Sequence, residues 1–177
     1  MSFSDIIKEA SSKDWSLELF TKRVIILGCG NVLFGDDGFG PQVIDHLLTN
    51  YDLPPDVYAL DVGTSVRNIL FDFILSPQKP QKVILIDAIQ VEGKRPGEIF
   101  EIDIDKVPVE KIPSFSVHEG PTLNFLQELK NFGQMRIHVV VAQAKEIPEI
   151  VKPGLSSEVQ VAIPKACEYL KRFWQKT

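Results

Sequence analysis

The stretch 24–40 constrains the fold of this chain more than any other, and it reads V-I-I-L-G-C-G-N-V-L-F-G-D-D-G-F-G. Its first residues, Val24 to Leu27, are all apolar, which is typical of a strand that is covered on both faces. Two glycines then interrupt the run, and Pro41 is a favourable early residue for a helix predicted over 41–49. The stretch therefore predicts a strand, a glycine-rich loop and a helix. In an open α/β sheet such a loop lies at the carboxyl ends of the strands, where ligands bind.

Two adjacent carboxylates, Asp36 and Asp37, stand where a phosphate-binding loop would carry its lysine and its hydroxyl residue. Leu33 occupies the position at which the dinucleotide fingerprint G-x-G-x-x-G requires a glycine. Because two negative charges repel the phosphate that loop amides attract, neither phosphate motif fits. The loop is instead predicted to bind a cation. The alternative is that the two acids only cap the following helix.

Composition limits the classes of protein to be considered. The 177 residues predict a single domain over 1–177, and 44% hydrophobic with 24% charged residues is ordinary for a folded chain. A net charge of −5 argues against a nucleic-acid partner, and two cysteines are too few for a disulfide scaffold. No apolar stretch reaches the roughly 20 residues of a membrane span. The first 20 residues contain scattered charges and no signal peptide, which predicts a cytoplasmic protein.

Strand and helix patterns alternate along the rest of the chain. Apolar runs predict strands at 57–62, 83–86 and 136–142, and the acidic alternation at 98–104 predicts an antiparallel edge strand. A last helix is predicted from a capping box at Ser157, with a kink or a later start at Pro164. Residues 1–20 are predicted as an N-terminal helical extension to a core over 22–174. This order predicts a three-layer α/β/α domain with a mostly parallel sheet.

Acidic residues follow three of the predicted strands, so they should meet at one edge of the sheet. They are the Asp36–Asp37 pair, Asp61 and Asp87, and His118 begins a further predicted helix that points to the same edge. Asp37, Asp87 and His118 form a mixed oxygen and nitrogen donor set that suits a borderline divalent metal. Simpler roles remain open: Asp61 as a helix cap, and His118 as a structural cap.

Four motifs taken together resemble the nickel–iron hydrogenase maturation endopeptidases. They are the loop G-C-G-N-V-L-F-G-D-D-G-F-G, D-V-G-T at 61–64, L-I-D-A at 85–88 and S-V-H at 116–118. The resemblance covers the chain from Lys22 to about Leu170 with every motif in order. It implies a phosphorylase/hydrolase-like fold whose five-stranded sheet has the order 2-1-3-5-4 with strand 4 antiparallel.

The same resemblance implies the function. A protein of this family removes the C-terminal extension of a hydrogenase large-subunit precursor once nickel has been inserted. Asp37, Asp87 and His118 match the positions that bind the nickel ion, which the precursor supplies and for which cadmium or another divalent metal can substitute. Asp36 and Asp61 are candidates for positioning reacting groups or for acting as a base, and the sequence does not decide between these roles. The phrases D-D-G-F-G-P, P-G-E-I-F-E-I and H-x-x-P-T are most similar to the branch that serves deazaflavin-reducing hydrogenases of methanogens.

The chain differs from the family pattern in two places, and two alternative functions compete with that of a protease. The segment up to Phe20 has no counterpart in the family, and Glu119 stands where several branches carry glutamine. A phosphoacceptor receiver domain would need a lysine at the end of the last strand, where this chain has Gln143 and only a nearby Lys145. A non-catalytic nickel-binding assembly chaperone could use the same three ligands, and only a cleavage assay separates it from a protease.

Overall fold

A computed structural model describes residues 19–104, 106, 126, 130–131 and 135–175. Its five strands are β1 (Val24–Cys29), β2 (Val57–Gly63), β3 (Lys82–Ile89), β4 (Ile99–Ile102) and β5 (Arg136–Gln143). The strand order is β2-β1-β3-β5-β4, and β4 alone runs antiparallel to its neighbour. The described α-helices are α1 (Phe39–Asn50), α2 (Val66–Leu75), α3 (Ser157–Gln160) and α4 (Ile163–Leu170). Both the sheet order and the antiparallel edge strand confirm the sequence prediction.

Apolar side chains on both faces of the sheet hold the layers together. All six residues of β1 are buried, because α2 covers one face of the sheet while α1 and α4 cover the other. Phe73 of α2 and Phe39 of α1 are fully buried on opposite faces. Each such side chain contributes about 2–3 kcal/mol when it leaves water. The continuous apolar runs in the sequence therefore reflect a sheet that is covered on both sides.

Helix α1 lies unusually close to the sheet because glycines remove side chains at the contact. A Cβ atom on Gly40 would lie 2.5 Å from the carbonyl oxygen of Ile86 and 2.6 Å from the backbone nitrogen of Cys29. A Cβ atom on Gly28 would likewise lie 2.6 Å from the carbonyl oxygen of Gly40. The start of α1 is thus seated directly on the carboxyl ends of β1 and β3.

Two predicted boundaries were wrong in a way that bears on the site. Helix α1 begins at Phe39 and not at Pro41, because a 3-10 turn over Gly35–Gly38 leads directly into it. Pro41 is tolerated there since the first helical N–H groups have no partner within the helix. Strand β3 does not end before Asp87 but continues to Ile89, because it stays paired with β5 as far as Gln143. Asp87 is therefore a strand residue.

The last predicted helix is divided into two. Helix α3 ends at Gln160 and α4 starts at Ile163 with Pro164 in its first turn, as the proline predicted. The predicted capping box at Ser157 was wrong, because the N-cap residue is Ser156 and its side chain makes no capping hydrogen bond. Edge strand β4 covers 99–102, which is shorter than the predicted 98–104.

Several predictions fall on residues that the structure does not describe. The N-terminal extension lies outside the described residues except for Leu19 and Phe20, which are helical. His118 and Glu119 lie outside them too, so the helix predicted to carry the histidine stays a prediction. Within the described residues, no helix has the length and apolar character needed to cross a membrane. The single-domain boundaries and the cytoplasmic location also stay predictions.

We expect Gly40→Ala to destabilise the protein by about 3 kcal/mol or more, because its new Cβ would meet backbone atoms of β1 and β3. Gly93→Ala is the control, since a Cβ there has no atom within 4 Å and the only cost is its φ of 81°. That conformation costs about 1 kcal/mol. Urea unfolding of the three proteins measures the difference, and equal losses for the two variants would show that α1 does not need this close approach.

Candidate functional site

Strands β1 and β3 separate at the carboxyl edge of the sheet, and the candidate site lies where they part. Their pairing ends at Gly28 and Ile86, so Asp87 is the first residue of β3 that is not paired with β1. On its other side Asp87 is still paired with Val141 of β5. Because the connections from β1 and β3 diverge here, this is the position at which open α/β sheets bind ligands.

The glycine loop places Asp37 at the same position. Gly30 has a φ of 120°, and any side chain there would collide with the carbonyl oxygen of Asp37. This conformation lets the backbone N–H of Asn31 donate a 2.8 Å hydrogen bond to Oδ2 of Asp37. Asp37 is fully buried within the 3-10 turn. The glycine at position 30 thus serves the placement of the Asp37 carboxylate.

Asp87 is a buried carboxyl group whose charge is strongly disfavoured. Its side chain is 4% exposed, and its Oδ1 atom accepts a 2.8 Å hydrogen bond from the backbone N–H of Ala88. Burial, and to a lesser extent the charge of Asp37, raise the pKa of Asp87 to about 8 although the Ala88 hydrogen bond opposes them. The metal-free site therefore holds a proton on Asp87 at neutral pH.

Asp61 and Cys29 complete the described surroundings. Asp61 is exposed, and its Oδ1 atom accepts a 2.9 Å hydrogen bond from the backbone N–H of Gly63, so it shapes the turn after β2. Burial and then the charges of Asp87, Asp61 and Asp37 raise the pKa of the Cys29 thiol well above its usual range. All three acids thus disfavour the thiolate form of Cys29 at the end of β1. A thiol held in its neutral form is a poor nucleophile.

Asp36 has a structural role that sequence reasoning missed. Its carboxylate is 1% exposed and accepts backbone hydrogen bonds from Lys145 (2.7 Å), Glu146 (3.1 Å) and Ser156 (2.6 Å). The Ser156 hydroxyl adds a fourth at 2.9 Å. A carboxylate occupied in this way has little capacity to act as a base. No local pattern marks Ser156 as its partner, because the two residues are 120 positions apart.

The donor set fits a divalent cation as far as it is described. Asp37 and Asp87 supply two buried carboxylates, and a cation would remove the desolvation and repulsion that force a proton onto Asp87. Within the described residues, no group of three or more His, Cys, Asp or Glu side chains could hold a metal. The predicted third ligand, His118, is not among them.

The arrangement after β5 does not suit a receiver domain. Gln143 closes the strand, and its Oε1 atom accepts a hydrogen bond from the backbone N–H of Val91. The Nζ atom of Lys145 lies 2.7 Å from Glu158 in an exposed ion pair. The lysine is thus directed to the surface and does not close the acidic site, so the structure gives the receiver alternative no support.

We expect Asp36→Asn to destabilise the protein by about 3 kcal/mol, because the amide nitrogen would face buried N–H donors that now bind a carboxylate oxygen. Asp45→Asn, an exposed change on α1, is the control and should stay within about 0.5 kcal/mol of the parent. Thermal and urea unfolding measure both. A loss for Asp36→Asn no larger than for the control would contradict the structural role.

We expect Asp87→Asn to stabilise the metal-free protein, and the gain should increase between about pH 5 and about pH 8. Folded Asp87 keeps its proton up to about pH 8, whereas the unfolded group loses it near its ordinary pKa of 3.8. The parent therefore loses stability as pH rises through this range, and the neutral amide does not. At the upper end the gain should be a few kcal/mol. Urea unfolding with a chelator present measures it, and a gain independent of pH would contradict the raised pKa.

Comparison with known proteins agrees with this geometry. A family model described as hydrogenase maturation protease (HycI) matches residues 41–172. A putative hydrogenase maturation protease of Methanocaldococcus jannaschii is 41% identical over 151 residues, which is 84% of this chain and 94% of that protein. The coenzyme F420 hydrogenase subunit delta of Methanothermobacter thermautotrophicus is 30% identical over 155 residues, covering 85% of this chain and 94% of that protein.

Solved structures show the same relationship. The hydrogenase maturating endopeptidase HybD from E. coli matches with a TM-score of 0.65 at 27% identity, and the match covers 86% of this chain and 94% of HybD. The family model covers well over half of the chain and includes β3 with Asp87. This chain therefore belongs to the hydrogenase maturation protease family.

Proposed function

We propose that the chain is an endopeptidase that removes the C-terminal extension of a nickel–iron hydrogenase large-subunit precursor, and that it recognises nickel already bound in the precursor. The observation that carries the proposal is the pair of buried carboxylates, Asp37 and Asp87, at the point where β1 and β3 separate. Family membership supplies the reaction class. The carboxylate pair supplies a reason for a cation to enter the site.

The electrostatics of the pair favour exchange of a proton for a metal ion. With His118 neutral, the proposed ligands Asp37, Asp87 and His118 carry two negative charges, which one divalent cation offsets. Because Asp87 holds a proton up to about pH 8, an arriving cation must displace that proton. A precursor without its nickel would leave the buried pair without a counter-charge. Nickel thus acts as part of the substrate, and its presence decides whether the complex forms.

Asp61 is the candidate base for the hydrolytic step. Asp36 is occupied by four hydrogen bonds, and the raised pKa of Asp87 keeps its carboxyl group protonated in the free protein. Asp61 is exposed at the same edge of the sheet, where it pairs with Gly28 near the end of β1. We assign it the task of accepting a proton from the attacking water.

The similarity to the coenzyme F420 hydrogenase subunit delta supports a more specific substrate. Together with the motifs of the methanogen branch, it favours the large-subunit precursor of a deazaflavin-reducing hydrogenase. Precursors of other nickel–iron hydrogenases should then be processed more slowly under the same conditions.

The deciding experiment incubates nickel-loaded and nickel-free precursor with the protein and measures the product masses. We expect only the loaded form to lose its C-terminal peptide. Asp37→Asn, Asp87→Asn and His118→Ala should each lower the cleavage rate by at least roughly tenfold, because each removes one proposed metal ligand. Asp45→Asn, on the exposed face of α1, should cleave at the parent rate.

Three outcomes would contradict the proposal in different ways. Equal cleavage of both precursor forms would exclude nickel recognition but keep the protease. Nickel-dependent binding without any cleavage would indicate an assembly chaperone. Parent-like binding of cadmium by His118→Ala, measured by calorimetry, would remove the histidine from the ligand set.

A further inference from the structure

Four large apolar side chains are exposed on two loops beside the carboxylate pair. Val32 and Leu33 in the glycine loop are each 46% exposed, and Ile150 and Val151 in the loop after β5 are 75% and 63% exposed. We name these four residues the apolar rim. Single exposed apolar residues are ordinary, whereas adjacent ones mark interaction sites.

Backbone hydrogen bonds join the two loops side by side. The N–H of Lys152 donates to the carbonyl oxygen of Leu33, and the N–H of Gly35 donates to the carbonyl oxygen of Lys152, both at 2.9 Å. These bonds form an isolated parallel bridge between Phe34 and Lys152. Leu33 and Val151 each precede a residue of that bridge, so they are neighbours in register. The register therefore places Leu33 and Val151 side by side on the two joined loops.

Close packing fixes the backbone under the apolar rim. A Cβ on Gly35 would lie 2.8 Å from Cδ of Pro148, so the backbone at Gly35 packs directly against the Pro148 ring. The buried carboxylate of Asp36 binds the N–H groups of Lys145 and Glu146 at the base of the second loop. A surface that is already ordered loses little conformational entropy when a partner binds.

The apolar rim adjoins Asp37 directly. Asn31 donates its N–H to the Asp37 carboxylate and accepts a 3.0 Å hydrogen bond from the N–H of Leu33 at its own Oδ1. On the other side, Val32 lies so close to Gly38 that a Cβ there would be 3.0 Å from the Val32 Cα. Val32 and Leu33 therefore lie directly beside the turn that carries Asp37.

The charges around the apolar rim indicate what kind of segment it binds. Lys152 and Glu146 form an ion pair at 2.7 Å, and the exposed Glu149 directly before Ile150 gives this border a net negative charge. The other border is acidic, with Asp37 and the exposed Asp61. A segment rich in carboxylates would be repelled there, whereas an apolar one would bury surface against the four side chains.

We propose that the apolar rim is the docking surface for an apolar, acid-poor segment of the hydrogenase precursor next to the scissile bond. This inference rests on the proposed function. In this proposal the apolar rim binds the polypeptide of the precursor, and the carboxylates bind its metal. Val32, Leu33, Ile150 and Val151 are therefore residues that determine affinity for the precursor and not the rate of the chemical step.

The test uses the full-length protein carrying Leu33→Ser and Val151→Ser together, with nickel-loaded precursor as substrate. The matched control carries Leu48→Ser and Leu75→Ser, which are 55% and 80% exposed near the ends of α1 and α2. Both helices start at the carboxyl edge of the sheet, so these control residues lie at its opposite edge. We expect KM to rise about tenfold for the rim variant with kcat within about twofold, and both constants to stay at the parent values for the control.

The outcomes separate this inference from the proposed function. If the parent does not cleave the precursor, the proposed function fails. If the parent cleaves and the folded rim variant keeps the parent KM, the docking inference fails alone. A fall in kcat at unchanged KM would also overturn it. So would a change in sedimentation without a change in KM, because the rim would then bind a second copy of this chain. Ile150→Ser alone, at the most exposed rim position, repeats the measurement if the double variant folds poorly.

Discussion

The absence of a side chain at Gly40 is the constraint on which the geometry of the site depends. It lets α1 approach backbone atoms of Cys29 and Ile86 to within distances that no Cβ would permit. The start of α1 then lies over the carboxyl ends of β1 and β3, and the 3-10 turn that precedes it carries Asp37 to the place where these strands separate. A side chain at this position would therefore move α1, and the turn that carries Asp37, away from the end of β1 and from β3.

The buried pair Asp37 and Asp87 has an unfavourable electrostatic free energy, which the stability of the rest of the fold offsets. Two large apolar clusters lie on the faces of the sheet, while Asp87 is buried and its charged form is disfavoured by burial and by the charge of Asp37. The neutral form of Asp87 limits the cost in the free protein, and a cation would remove it. This arrangement would favour the cation that we propose, since part of the unfavourable energy of the empty site would disappear on binding.

Much of the fold was predictable because strands that are covered on both faces have uninterrupted apolar sequences. Val24 to Leu27 and Val83 to Ile86 show this pattern, and the acidic alternation near Glu101 correctly indicated an edge strand. The predicted end of β3 was wrong because an acidic residue after an apolar run usually marks the end of a strand. Here Asp87 is instead buried within the strand. Strand pairing with β5, which is non-local, decides that boundary.

The site was only partly predictable for a related reason. Asp37 and Asp87 follow from the rule that strand ends converge, and the structure brings both to the same edge together with Asp61. The task of Asp36 did not follow from the sequence, because its partners are 109 to 120 residues away. Three of the four donors are backbone N–H groups, which have no sequence signature. The assignment of His118 still rests on the sequence pattern and on the resemblance, because this residue lies outside the described part of the chain.

The long separation between Asp36 and Ser156 also has a kinetic consequence. A loop of this length closes slowly and loses much chain entropy before the contact forms, so such contacts are made late in folding. While the chain is being synthesised, the glycine loop emerges long before the residues that must hold it. Its carboxylates consequently become organised only after β5 has joined the sheet and the segment around Ser156 has left the ribosome. A chain cut short before Ser156 would therefore lack two of the four hydrogen bonds that hold the Asp36 carboxylate.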